Sequence, residues 1–142
     1  MNTARIIDGR KAAAKLRNDI AASAVDLKTR GRPPGLAVIM VGDNPASDIY
    51  VRNKSRACAA VGIRSFEHRL PATAMPSDIE RLIHRLNADS SVHGILLQLP
   101  VPPHINSGVM IELIAPEKDV DGLHPLNIGR LAAGLPGMTP CT

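Results

Sequence analysis

The sequence predicts an α/β fold in three layers, a parallel sheet with helices on both faces. Two observations carry that prediction. Continuous apolar runs bounded by turn residues, Leu36 to Val41 and Gly94 to Leu99, read as strands buried on both sides. Segments with apolar residues at helical spacing alternate with them, and strands separated by helices pair in parallel through right-handed crossovers. At 142 residues the chain has the length of one compact domain.

In chain order, Asp8 caps a first helix whose apolar positions are Ala13, Leu16, Ile20, Ala24 and Leu27, and Gly31 with Pro33-Pro34 stops it. The first strand, Leu36 to Val41, ends in the turn Gly42-Asp43-Asn44-Pro45. Ser47 is the expected cap of a second helix that runs through Lys54 and Cys58 to Gly62. Ile63 to Leu70 is a weaker strand pattern. Ser77-Asp78-Ile79-Glu80 has the spacing of a capping box, and Ile79, Leu82, Ile83 and Leu86 follow at i, i+3, i+4 and i+7. The strand Gly94 to Leu99 is ended by Pro100-Val101-Pro102-Pro103, and Asn106 opens a short helix towards Ile114.

Composition narrows the function. Hydrophobic residues make up 44% and charged residues 21%, as in an ordinary globular protein. Tyr50 and Phe66 are the two aromatics, so the core must be aliphatic. The segment Met1 to Arg5 lacks the layout of a secretory signal, and the longest apolar run is far too short to span a bilayer, so a cytoplasmic protein without membrane contact is expected. Cys58 and Cys141 have neither the spacing of a disulfide framework nor that of a zinc site. The net charge of +4 is uneven, with 13 Lys/Arg against 6 Asp/Glu in residues 1 to 71 and 4 against 7 thereafter. Scattered basic residues with almost no aromatics offer no stacking platform, so nucleic acid is not an expected partner.

Ligands of open α/β sheets bind beyond the carboxyl ends of the strands. Tyr50 and Lys54 follow the first strand and, at i and i+4, share one helix face. Gln98 ends another strand, where an amide in an apolar run needs a hydrogen-bond partner. The loop Lys118-Asp119-Val120-Asp121-Gly122 follows the next helix, and all three groups should meet at one rim. Asp119 and Asp121 do not begin a calcium loop, because Leu123, His124 and Arg130 stand where an oxygen ligand, a glycine and a glutamate are required. No histidine pair has metal-ligand spacing, so no metal is expected, and no glycine-rich dinucleotide or triphosphate cradle is present. By themselves these residues fit either an enzyme or a non-catalytic module that binds a flat anionic ligand.

With these residues in view, the chain resembles the N-terminal catalytic domain of the bifunctional methylenetetrahydrofolate dehydrogenase/methenyltetrahydrofolate cyclohydrolase family. The likeness rests on Val41-Gly42-Asp43-Asn44-Pro45-Ala46-Ser47, Tyr50-Val51-Arg52-Asn53-Lys54, Gly94-Ile95-Leu96-Leu97-Gln98-Leu99-Pro100, Lys118-Asp119-Val120-Asp121-Gly122-Leu123-His124-Pro125 and Thr139-Pro140-Cys141-Thr142. Asp48 and Leu123 stand where relatives often carry other residues. The resemblance implies oxidation of 5,10-methylenetetrahydrofolate with NADP, then hydrolysis to 10-formyltetrahydrofolate. It implies Lys54 as general acid/base, Gln98 orienting it, Tyr50 stacking on the folate ring and Asp121 binding the pterin. The implied substrate contacts are Tyr50, Val51, Arg52, Asn53, Lys54, Leu97, Gln98, Leu99, Pro100 and Asp121. Relatives continue into a second, NADP-binding domain, so residues 1 to 142 are expected to be one domain of a normally two-domain, homodimeric protein, weak or inactive by itself.

Overall fold

The computed structural model describes residues 7 to 140; the N-terminal segment Met1 to Arg5 and Cys141 lie outside the described residues. Its elements are α1 (Gly9–Thr29), β1 (Gly35–Val41), α2 (Pro45–Val61), β2 (Arg64–Leu70), α3 (Pro76–Ala88), β3 (Gly94–Leu97), α4 (Ser107–Glu112) and α5 (Pro125–Ala132). The three strands are parallel in the order β2-β1-β3, so the first strand in sequence is the central one. The α/β class is therefore the one the sequence predicts.

Alternation along β1 divides the core between two faces. Ala37, Ile39 and Val41 join Ile79, Leu82, Ile83 and Leu86 of α3 with Met110 and Ile114 from the α4 region. Val38 and Met40 point the other way and pack with Leu96 of β3 and Val51 of α2. Both faces of β1 are buried, which is why its sequence is a continuous apolar run. The core is aliphatic, with Phe66 packed at its margin and Tyr50 in solvent.

Several boundaries differ from the sequence expectation, each for a local reason. Asn44, not Ser47, caps α2: its Oδ1 accepts from the backbone N–H groups of Ala46 and Ser47, and Pro45 fills the first helical position. Ser47 lies buried one turn inside. At α3 the helix begins at Pro76, and Asp78 reaches back to accept from the Met75 N–H at 3.0 Å, so the expected box is displaced by two residues. β2 starts at Arg64, after Ile63 N–H has closed the end of α2 on the Cys58 carbonyl. The pattern of α1 also misleads. Of its five apolar positions only Ala24 is buried, beside Gly62, while Leu16 is 60% exposed. Among the described residues no helix is long and apolar enough to cross a membrane.

Candidate active site

Helix α2 leaves the carboxyl end of β1 and buries the stripe Ser47, Val51, Cys58 and Val61, with Val51 packed on Val38, Met40 and Leu96 of the sheet. Lys54 lies three residues after Val51 and four before Cys58, so it rides the edge of that stripe and is half-buried. Tyr50, one turn earlier, is 62% exposed. The helix thus holds the amine against the protein and leaves the phenol free.

Regular pairing of β3 stops at Leu97, two residues before the expected end. The backbone nonetheless stays attached for one more step, because Gln98 N–H donates to the Ile39 carbonyl at 2.8 Å. Alternation then puts the Gln98 side chain on the side of Leu96, which is the α2 face. There Lys54 Nζ donates to Gln98 Oε1 at 3.3 Å, joining residues 44 positions apart. The other end of the same amide, Nε2, donates to the Leu99 carbonyl at 2.8 Å. An amide with its N–H fixed presents its oxygen in one direction, so the lysine is aimed while two of its three donors stay free. The following Leu99–Pro100 peptide is cis.

The third contributor is the loop after α4. Ile95 N–H donates to the Lys118 carbonyl at 2.7 Å, and Asp119 forms an isolated parallel bridge with Ile95. This short stretch therefore runs beside β3 and carries Asp121 towards the carboxyl rim. Close approach requires Gly94, where a Cβ would stand 2.4 Å from Val120 Cγ1. Gly122, with φ of +67°, turns the chain back under Met138 and Pro140.

The charged residues of this loop divide their work. Lys118 Nζ donates to the carbonyls of Leu86, Asn87 and Asp89, closing the end of α3. Asp119 is 2% exposed and accepts from His124 N–H and Asn127 Nδ2, each at 2.9 Å, which fastens the start of α5. Asp121 is half-buried. Burial pushes its carboxyl above the usual range, the charge of Lys54 opposes that shift, and Asp119 adds to it. The influence of Lys54 on Asp121 places the two groups in one electrostatic neighbourhood. Lys54 likewise opposes the burial that raises the thiol of Cys58.

Lys54 and Gln98 thus meet as the strand-end rule requires, with Tyr50 one helical turn away and Asp121 carried towards the same rim by the Ile95–Asp119 bridge. Two of the expected substrate contacts have buried side chains. Val51, 1% exposed, packs with Val38, Met40 and Leu96, and Leu97 is buried on the α3 side, so a ligand would meet these two residues through their backbone. Arg52 and Asn53 are exposed, and Arg52 pairs with Asp48. Leu99 and Pro100 are exposed at the rim. Asp48 also binds Arg69 of β2 at 2.6 Å, and these two guanidiniums, Arg69 first, hold its carboxyl below the usual range. Among the described residues no group of three or more His, Cys, Asp or Glu could hold a metal ion. Sequence reasoning missed Asn44 and Asn127 as residues that build the site; the signal for Asn44 was the Asn-Pro pair itself.

The family described as tetrahydrofolate dehydrogenase/cyclohydrolase, catalytic domain, matches residues 7 to 121. Bifunctional protein FolD 2 of Geobacter metallireducens is 52% identical over 137 residues, 96% of this chain and 48% of its own length. Bifunctional protein FolD of Sphingopyxis alaskensis is 54% identical over 140 residues, covering 98% and 46%. Among solved structures, the bifunctional FolD methylenetetrahydrofolate dehydrogenase/cyclohydrolase of Campylobacter jejuni superposes with a TM-score of 0.93 at 45% identity, over 94% of this chain and 48% of that one. The Trypanosoma brucei dehydrogenase-cyclohydrolase, complexed with NADP cofactor and inhibitor, gives 0.91 at 39% identity, over 99% and 49%. The chain spans about half the length of the curated relatives it matches.

Proposed function

The chain belongs to the tetrahydrofolate dehydrogenase/cyclohydrolase family, as its catalytic domain, and from that premise we propose that it supplies the folate-side chemistry of 5,10-methylenetetrahydrofolate oxidation and of methenyl hydrolysis to 10-formyltetrahydrofolate. The observation that carries the reading is the contact of Lys54 Nζ with Gln98 Oε1 at 3.3 Å, with Asp121 in the same electrostatic neighbourhood.

In the hydrolysis, water adds to the carbon bridging N5 and N10, its oxygen gives up both protons to become the formyl oxygen, and the bond from that carbon to N5 breaks as N5 takes up one proton while the other is released to solvent. Lys54 is the group that exchanges these protons. Gln98 holds its amine in line, and such positioning by a second group is worth more than the hydrogen bond alone. Tyr50, exposed on the same helix face, stacks on the flat folate ring. Asp121 accepts hydrogen bonds from the pterin amino and ring N–H groups, for which a carboxylate offers two adjacent acceptors. Burial, the largest influence, raises that carboxyl, and the charge of Lys54 acts against the rise.

The described residues do not fit NADP. The turn from β1 into α2 lacks a glycine-rich cradle: Pro45 has no N–H to offer, Asn44 occupies the next two, and Asp48 sets a carboxylate in the first turn. The hydride acceptor in this reading is bound by a further domain of the protein, and none of the steps above runs through it.

The decisive experiment is Lys54→Met in the natural protein that contains this chain, with hydrolysis of 5,10-methenyltetrahydrofolate followed by absorbance. Hydrolysis should fall to the uncatalysed rate while the circular dichroism spectrum is unchanged. Full hydrolysis by the variant removes the assignment, and no hydrolysis by the unaltered protein leaves a binding module.

A further inference from the structure

The matched family segment ends at residue 121, yet the loop that carries Asp121 is shaped by residues beyond it. After α5 the chain reverses at Gly134, with φ of +68°, while Leu135 N–H closes on the Arg130 carbonyl at 2.8 Å. It then runs back along the helix. At Gly137 a Cβ would stand 3.2 Å from Arg130 Cδ and 3.7 Å from Asn127 Oδ1, and three residues later Pro140 reaches Gly122. Residues 122 to 140 therefore form a loop whose ends meet, with α5 on one side and the returning tail on the other.

Both contacts of the tail fall beside the aspartates of the preceding loop. Asn127, 1% exposed, donates to Asp119 at 2.9 Å, so at Gly137 the tail lies against the side chain that fastens Asp119. Gly122 is the neighbour of Asp121, and there the approach is closest. A Cβ at Gly122 would stand 2.8 Å from both N and Cδ of Pro140 and 3.2 Å from the Met138 carbonyl oxygen. Two of these three atoms are main chain, and the Pro140 ring fixes its own φ, so a methyl group enters only if strap or loop moves. The φ of +67° is a second reason for glycine, independent of the tail.

We propose that Gly122 and Pro140 are positioning residues of the folate site: residues 137 to 140 are a strap that sets where the Asp121 carboxylate stands at the rim. The inference rests on the reading of Asp121 as the pterin acceptor. Lys54 and Gln98 stand on α2 and at the end of β3 and hold each other, so the strap governs ligand affinity more than proton transfer. Ordinary carbon contacts begin at about 3.5 Å, so a methyl at Gly122 separates strap and loop by about 0.7 Å. A misplacement of about 1 Å can cost an enzyme about a hundredfold. Roughly tenfold is the loss expected here.

The test uses the natural protein that contains this chain, with 5-formyltetrahydrofolate as a stable probe in calorimetric titrations, kcat for methenyltetrahydrofolate hydrolysis at saturation, and melting by circular dichroism. Gly122→Ala and Gly122→Asn bring the same Cβ, but asparagine tolerates the left-handed backbone. Both should raise the probe's Kd by roughly tenfold and lower kcat by less than about threefold. Pro140→Gly frees the strap to yield, so in that background Gly122→Ala should cost at most about threefold in Kd. Residues that only held the fold together would lower the Tm and leave Kd alone. The proposal is overturned by an unchanged Kd in Gly122→Ala, by Gly122→Asn binding as tightly as the unaltered protein, or by a Gly122→Ala cost that is the same with and without Pro140. If Gly122→Ala fails to fold, Pro140→Gly alone should weaken binding by several-fold, and an unchanged Kd overturns the strap. A protein that binds the probe with these responses but hydrolyses nothing removes the catalytic reading and supports the strap.

Discussion

Asp119 and Asp121 stand two residues apart in one loop, yet their replacement should move stability in opposite directions. Asp119 is buried and takes two hydrogen bonds, from His124 N–H and Asn127 Nδ2. Asp119→Ala leaves both donors without that acceptor, at about 1–3 kcal/mol for a buried group left unpaired. Asn127 keeps its bond to the Pro116 carbonyl and His124 is only half-buried, so the lower part of the range applies to each. The expected loss is about 2–4 kcal/mol, and at about 4 °C per kcal/mol for a chain of this size the Tm should fall by about 8–16 °C. Asp121 has the reverse sign. Its folded carboxyl is raised, so the stability linked to its proton is fully present below the ordinary aspartate pKa of about 4 and is lost as pH rises through the folded value. At neutral pH the buried charge is therefore a burden, and Asp121→Asn should raise the Tm and flatten its decline between acid and neutral pH. Thermal melts followed by far-UV circular dichroism from pH 4 to pH 7 read both effects. Equal losses for the two variants, or a steeper pH dependence in Asp121→Asn, would show that the division of labour in this loop has been misread.

Three further outcomes follow from the same geometry. Asn44→Ala removes the cap of α2 and should cost about 1 kcal/mol by chemical denaturation, whereas Ser47→Ala, which cannot act as that cap, should differ in lacking faster amide exchange at Ala46. Ile83→Ala opens the fully buried core between α3 and β1 and should cost about 3–4 kcal/mol; a loss below about 1 kcal/mol would mean that the α3 face is loosely packed. Tyr50→Leu should raise KM for the folate substrate with little change in melting temperature, because the ring is exposed and, in the proposed reading, stacks on the ligand; an unchanged KM removes it from the site.

The fold was legible wherever one pattern had one solution. β1 is buried on both faces and reads as an unbroken apolar run, and α3 lies on a single core and shows a clean helical stripe. α1 shows the same kind of stripe but covers little, since the described residues offer it only the end of α2; periodicity reports a face without saying what meets it. That Lys54 and Gln98 share one rim was legible through topology, because strand ends gather there whatever their separation in sequence, while their pairing was implied by the family resemblance. The roles of Asp119 and Asp121 were not, since burial depends on which loop residue bridges Ile95. α5 was equally hidden: it is only eight residues long and is capped by His124, whose Nδ1 accepts from Leu126 N–H at 3.0 Å in place of an ordinary cap.

At the centre stands the claim that Lys54 and Gln98 act as one unit. A double-mutant cycle on methenyltetrahydrofolate hydrolysis measures this directly, using Lys54→Met, Gln98→Met and the two combined in the natural protein that contains this chain. If Gln98 works only by aiming the lysine, the double variant will be no slower than Lys54→Met alone, although Gln98→Met by itself slows the reaction by about tenfold or more. Rate losses that multiply would contradict the account, because each residue would then act without the other.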